Sequence, residues 1–141
     1  MEYLGEFKGV FVINDTTATN PGAVIFSLDQ VERRFKVNPS RVILIAGGED
    51  KKLNYAEFSK KIWRLKKVIL LPGRASDKIK FSKALRVGSL KEGVKTAFDS
   101  AKKGDVILFS PGASSFNMFK NEFDRGQAFK NAVFGLKKSV S

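Results

Sequence analysis

The amino-acid sequence predicts an α/β domain of three layers, a mainly parallel sheet with helices on both faces. Three observations carry this. Short apolar runs without alternation (Arg41–Ala46, Val68–Leu71 and Asp105–Phe109) read as strands buried on both sides. They alternate with stretches of helical spacing: Val24, Leu28, Val31 and Phe35, then Phe58, Ile62 and Leu65, then Leu90, Val94, Ala97, Phe98 and Ala101, then Phe129, Val133 and Leu136. The connections are short and rich in Gly, Pro, Ser and Asn, as crossovers between parallel strands require.

Taken in order, Tyr3–Phe7 and Val10–Ile13 flank Lys8-Gly9 and read as an edge hairpin or two short strands, which leaves room for an antiparallel strand at one edge. Asn20 is a good N-cap and Pro21 a good first residue for the first helix, which ends before Asn38-Pro39. After the Arg41–Ala46 strand come the loop Gly47–Lys52 and a basic helix over Tyr55–Leu65. Val68–Leu71 closes at Pro72-Gly73, and Ser76–Phe81 is a helical turn or short helix. Ala84–Val87 is a short strand, and Ser89 with Glu92 has the capping-box pattern for the helix that Gly104 ends. The Asp105–Phe109 strand leads into Ser110–Gly126 (SPGASSFNMFKNEFDRG), a strand-to-helix loop in which Ser114 or Ser115 can cap. The arrangement is Rossmann-like, of the dinucleotide-binding type, and 1–141 forms a single domain.

The chain of 141 residues is long enough for a proper core, and 43% of it is apolar, with thirteen Phe. It has no Cys and no His, which excludes disulfides, thiol catalysis, histidine acid–base work and most zinc sites. No apolar run reaches the length of a membrane span and the N-terminus does not read as a signal peptide, so a cytoplasmic protein is expected. Between Lys51 and Arg86 there are twelve Lys or Arg against two acids, which accounts for +10 of the net +12. Such a stripe can mark nucleic acid, but its aromatics form no RNA-binding signature, and Lys60, Lys61, Arg64 and Lys66 fall on the solvated side of the basic helix.

In a doubly wound sheet, ligands sit at the C-terminal ends of the strands. Three loops leave that edge: Asn14–Asn20 offers Asp15 and Thr19, Gly47–Lys52 offers Lys51, and Ser110–Asn117 offers Ser115 and backbone N–H groups. Hydroxyls, a lysine and free amides suit a carboxylate or a phosphate. Each residue also has a plain structural use: Thr19 in a polar turn, Lys51 as a solvated lysine, Ser115 as a cap, Asp15 in an Asx turn. The chain has no Walker A pattern and no GxGxxG, and neither serine has a histidine to activate it, so the chain alone lacks the parts for catalysis.

Four segments, Ile13–Ala23 (INDTTATNPGA), Leu44–Lys51 (LIAGGEDK), Val87–Leu90 (VGSL) and Gly104–Gly126, together resemble the C-terminal domain of the Mur ligase family, and within it the members that add D-glutamate. Met1–Glu6 is similar to the family's passage into this domain from its central ATP-binding domain. The resemblance implies one domain of a three-domain enzyme whose N-terminal UDP-substrate and central ATP-binding domains lie outside this chain. It implies ATP-dependent amide ligation in cytoplasmic peptidoglycan synthesis. The carboxylate of UDP-N-acetylmuramoyl-L-alanine is phosphorylated by ATP with magnesium, bound mainly outside this domain, and the amine of D-glutamate attacks the acyl phosphate. By the same resemblance Thr19 and Lys51 hold one carboxylate of D-glutamate, and Ser115 with the backbone of Phe116 holds the other. Asp15 approaches the nucleotide on closure, and Asn121 supports. No metal is expected in this domain. Two departures stand out: Thr16-Thr17 replaces a Ser-Lys of many relatives, and Glu122 stands where some have Phe. The expected partners are D-glutamate and the ATP domain, with no membrane, no nucleic acid and a monomeric chain. The competing readings are a related ligase for another amino acid and a non-enzymatic basic module that binds nucleic acid.

Overall fold

A computed structural model describes residues 1–49, 52–81, 83–115 and 118–140. The elements in order are β1 (Glu2–Phe7), β2 (Val10–Asn14), α1 (Pro21–Phe35), a 3₁₀ turn (Pro39–Arg41), β3 (Val42–Ala46), α2 (Ala56–Ile62), β4 (Lys67–Leu70), α3 (Arg74–Lys78), β5 (Ala84–Arg86), α4 (Leu90–Ser100), β6 (Val106–Phe109) and α5 (Glu122–Val140). The six strands form one sheet in the order β1-β2-β6-β3-β4-β5. Only β1 and β2 pair antiparallel, and the other pairings are parallel. The hairpin at the edge is therefore the expected one. Its turn residues Lys8 and Gly9 both have positive φ, 53° and 84°, which is the backbone twist a two-residue hairpin loop needs.

The apolar strands serve two cores at once, because successive side chains point to opposite faces. Ile13, Leu44, Leu70 and Leu108 pack with Val24, Leu28 and Val31 of α1, Phe58 and Ile62 of α2 and Ala75 of α3. Val12, Ile43, Ile45, Ile69, Ile107 and Phe109 pack with Leu90, Val94 and Ala97 of α4 and Phe129 and Val133 of α5. Phe109 stacks on Phe129 at 4.7 Å between ring centroids. Both predicted caps form: Asn20 Oδ1 accepts from Ala23 N at 2.9 Å, and Ser89 Oγ accepts from Glu92 N at 3.1 Å.

Two boundaries differ from the sequence reading. α3 starts at Arg74, directly after Gly73, because Ser76 turns inward and donates its hydroxyl to Leu71 O at 2.5 Å. α5 starts at Glu122, and its cap is Asn121, whose Oδ1 accepts from Asp124 N at 2.8 Å, rather than Ser114 or Ser115. Ser114 lies eight residues before α5 and instead pairs with Glu49 in an extended bridge, its N–H donating to Glu49 O at 3.1 Å.

Part of the basic run is paired with acids. Lys61 Nζ lies 2.6 Å from Asp29, Arg86 Nη2 2.7 Å from Asp77 and Arg74 Nε 3.4 Å from Glu49. At the N-terminal end of β6, Asp105 is fully buried and accepts from Arg41 Nε at 2.6 Å, Lys66 Nζ at 2.5 Å and Lys102 N at 2.8 Å. Burial alone would raise its pKa. The hydrogen bonds from Lys66, Lys102 N–H and Arg41 outweigh burial and hold the carboxyl below the usual carboxylate range. Among the described residues no helix is long and apolar enough to cross a membrane.

Candidate functional site

The sheet order creates one switch point. β2 and β3 send the chain to helices on one face, while β6, between them, sends it to α5 on the other. The crevice at such a reversal is where open α/β sheets hold ligands. The loops after β2, β3 and β6 meet there and are joined by backbone hydrogen bonds. Gly112 N donates to Ala18 O at 2.8 Å and Gly47 N to Pro111 O at 2.8 Å. Glu49 and Ser114 exchange two bonds, Glu49 N to Ser114 O at 3.0 Å and Ser114 N to Glu49 O at 3.1 Å. Tyr55 donates its hydroxyl to Gly112 O at 2.7 Å from below.

The glycines of the second loop are required by this contact. A Cβ on Gly48 would lie 2.6 Å from Ser114 O, and one on Gly73 would lie 2.0 Å from Gly48 O. Only hydrogen fits at those places, so three backbone segments approach to contact distance.

The side chains divide into two groups. Thr19 is half-buried and Ser115 is 8% exposed, and among the described residues neither hydroxyl makes a hydrogen bond. Both are free to donate to, and accept from, a ligand at the loop edge. Asp15 and Asn121 are already engaged. Asp15 is buried, and its Oδ2 accepts from Ser27 Oγ at 2.5 Å and Ser110 Oγ at 2.7 Å, with the Met1 amino group 3.6 Å from its other oxygen. It pins the first loop to α1 and to the start of the third loop. Asn121 caps α5. Lys51 and Phe116 lie outside the described residues.

Sequence reasoning missed Arg125. It is 1% exposed and joins the first and third loops. Its Nε donates to Thr16 Oγ1 at 3.1 Å, its Nη2 to Thr16 O at 2.8 Å and its Nη1 to Ala113 O at 2.9 Å. Thr16 in turn donates to Glu122 O at 2.7 Å. Burial pushes the Arg125 pKa down to about 10, opposed by the charge of Glu122, so it remains a cation at neutral pH. The signal that could have found it is periodicity: Arg125 stands four residues before Phe129 and eight before Val133, on the buried face of α5. Glu122 contributes its backbone carbonyl to the loop junction, so the departure from Phe at that position leaves the junction intact.

A small cleft lies between Gly47, Gly48 and Glu49 on one side and Ser114, Ser115, Met118 and Arg125 on the other, with a volume of only about 10 Å³. That is too small for an amino acid. A larger groove, about 920 Å³, runs between α4 and α5 and reaches Met118 and Phe119, which also line the small cleft. Beside the small cleft, the loop edge carries the unengaged hydroxyls of Thr19 and Ser115.

Comparison with known proteins follows the same lines. A family model described as the glutamate ligase domain of Mur ligases matches residues 1–112. UDP-N-acetylmuramoylalanine–D-glutamate ligase of Bdellovibrio bacteriovorus is 38% identical over 138 residues, 94% of this chain and 28% of that protein. The ligase of the same name from Borreliella burgdorferi is 36% identical over 144 residues, 96% of this chain and 31% of that protein. The chain therefore spans about three-tenths of the length of these relatives. Among solved structures, the MurF ligase of Thermotoga maritima in complex with ADP superposes with a TM-score of 0.70 at 18% identity, over 99% of this chain and 31% of that one. The folylpolyglutamate synthase of the same organism superposes at 0.55 with 17% identity, over 96% of this chain and 30% of that one. At those identities the superpositions speak for the fold alone. The fold and its closely joined loops agree with the family match over most of the chain, and this chain belongs to the Mur ligase family, as its glutamate ligase domain.

Proposed function

We propose that this chain is the amino-acid-binding C-terminal domain of an ATP-dependent amide ligase that adds D-glutamate to UDP-N-acetylmuramoyl-L-alanine in peptidoglycan synthesis. The observation that carries the reading is the division of side chains at the three-loop edge. Thr19 and Ser115 keep unengaged hydroxyls there, while Asp15, Thr16, Asn121 and Arg125 hold the loops in place. The relatives named for D-glutamate ligation support the choice of amino acid.

In this reading the two carboxylates of D-glutamate lie along the loop edge, one received by Thr19 and Lys51, the other by Ser115 and the backbone N–H of Phe116. Donors fixed on joined loops lose little freedom on binding, so the amine is held in one direction. The acyl carboxylate of the second substrate attacks the γ-phosphorus of ATP and releases ADP. The amine then attacks the acyl carbon, phosphate leaves, and the amine gives up a proton. Magnesium would offset charge on the transferring phosphate. Among the described residues no group of three acids could hold a metal ion, and one oxygen of Asp15 is committed to two hydroxyls. By the family resemblance, nucleotide and magnesium would be bound mainly by a central domain outside this chain, with Asp15 at the boundary, and that domain would close over the loop edge. The chain alone would be inactive, and the complete protein would work in the cytoplasm.

The test is kinetic, in the complete enzyme, by phosphate release with D-glutamate, L-glutamate and meso-diaminopimelate. Ser115→Ala and Thr19→Val should each raise the KM for D-glutamate on the order of tenfold or more, as loss of a hydrogen bond to a charged group does. Turnover with another amino acid in preference to D-glutamate would overturn the substrate assignment. Unchanged KM values in both variants would overturn the site.

A further inference from the structure

We infer that Arg125 supplies the electrostatic ground of the amino-acid site: its buried charge, which forms no ion pair among the described residues, attracts the ligand carboxylate held at Ser115 and selects a dicarboxylic amino acid. The inference rests on the ligase reading above and deepens it.

A buried guanidinium ordinarily sits against a carboxylate, because removing the charge from water is costly without a counter-ion. Arg125 does not. Its three hydrogen bonds go to the neutral acceptors Thr16 Oγ1, Thr16 O and Ala113 O. Among the described residues no carboxylate forms an ion pair with it; the nearest influence is the Coulombic effect of Glu122. Among the described residues the junction of the first and third loops therefore holds a cation whose hydrogen bonds all go to neutral groups. Two of its five N–H donors have no acceptor among the described residues. Arg125 also lines the same narrow cleft as Ser114 and Ser115. The guanidinium thus borders the same cleft as the free Ser115 hydroxyl. An anion seated against Ser115 would supply the missing counter-charge through a medium of low polarity, where the attraction is far stronger than in water. A neutral amide in the same place would not.

Arg125 is a positioning residue as well, and the two roles are separable because lysine keeps the charge and loses the fork. The experiment compares Arg125→Gln and Arg125→Lys in the complete ligase, measuring KM for D-glutamate, KM for ATP, kcat and thermal midpoint. The expected result is a rise in the D-glutamate KM on the order of tenfold or more for Arg125→Gln, the effect of deleting one nearby charge in a partly buried site. The KM for ATP should stay within about twofold, and Arg125→Lys should recover most of the loss. Equal loss in both variants, tracking the thermal midpoint, would mean that Arg125 only holds the loops, and would overturn the electrostatic role. If Arg125→Gln does not fold, the wild-type enzyme labelled with [¹⁵N]arginine decides. The Arg125 Nε–H resonance, identified by its absence in Arg125→Lys, should move on saturation with D-glutamate and stay in place with chloride at equal ionic strength. No movement overturns the proposal. Failure of the wild-type enzyme to use D-glutamate would sink the ligase reading itself. Normal D-glutamate use with an unchanged KM in Arg125→Gln sinks only this inference.

Discussion

Replacing Gly73 by alanine should damage stability and the candidate site together. Gly73 has φ 140° and ψ 162°, a backbone region that is essentially closed to residues with a side chain and costs about 1–3 kcal/mol. The new methyl would lie 2.0 Å from Gly48 O and 2.2 Å from Gly48 C. Both are backbone atoms of the second loop, so relief requires that loop to move by about 1 Å, with overpacking worth roughly 1–3 kcal/mol. The movement also strains the bond from Ala75 N to Gly48 O, now 3.0 Å, and about 1 kcal/mol goes with it. Together these give a loss of about 3–7 kcal/mol, or roughly 10–24 °C in Tm for a chain of this size. The assay is thermal unfolding by circular dichroism, with two-dimensional amide spectra of the variant. Because Gly48 packs on Ser114, amide shifts should extend from Gly48 through Glu49 to Ser114. A Tm drop below about 2 °C, or shifts confined to the neighbours of Gly73, would refute the argument that three backbone segments touch there.

Gly135 provides the opposite case: an added methyl on this exposed side of α5 would meet nothing within 4 Å, so Gly135→Ala should raise stability by about 0.5–1 kcal/mol in the same melts. Asn20→Ala removes the cap of α1 and should cost about 1 kcal/mol by urea titration, with no change in the slope. Asp105→Asn should cost about 2–3 kcal/mol at pH 7, less than a fully buried pair because Arg41 and Lys66 are 46% and 27% exposed and can return to water. The folded-state pKa of Asp105 is depressed, so its contribution is present above the unfolded value near 3.8 and is lost as pH falls through the folded one; urea midpoints of wild type and variant should therefore converge below about pH 4.

How much of this was legible in the sequence follows the range of the interactions. The β3, β4 and β6 strands were readable because strands covered on both faces are apolar without interruption. The α1 and α4 starts were readable because Asn20 and Ser89 act on N–H groups three residues away. The start of α5 was not, because the chain after β6 stays extended, with Ser114 bridging to Glu49 sixty-five residues earlier, before Asn121 caps the helix. Thr19 and Ser115 were identified by resemblance, and their placement at one edge follows from the sheet order, which local patterns do not encode. Asp15, expected to approach the nucleotide, and Asn121, expected to support, each make a hydrogen bond within the protein that local patterns do not reveal. Arg125 escaped notice because a charge on an apolar helix face reads as an exception until its acceptors, more than a hundred residues away in Thr16, are known.

The position of β6 has a consequence for how the chain reaches this state. β2 and β3 do not pair with each other; each pairs only with β6 on its inner side. Until residues 106–109 are made, the sheet exists as two pieces, the β1–β2 hairpin and the β3–β4–β5 ribbon, joined by α1 alone. Insertion of β6 between them closes contacts of high sequence separation with β2, a slow step for a chain of this length. A nascent chain stopped before Val106 would expose the inner edges of both pieces, and such edges invite pairing with other chains. Folding of the whole sheet should therefore be all-or-none with respect to its last strand, and the three loops of the candidate site come into being at the same moment.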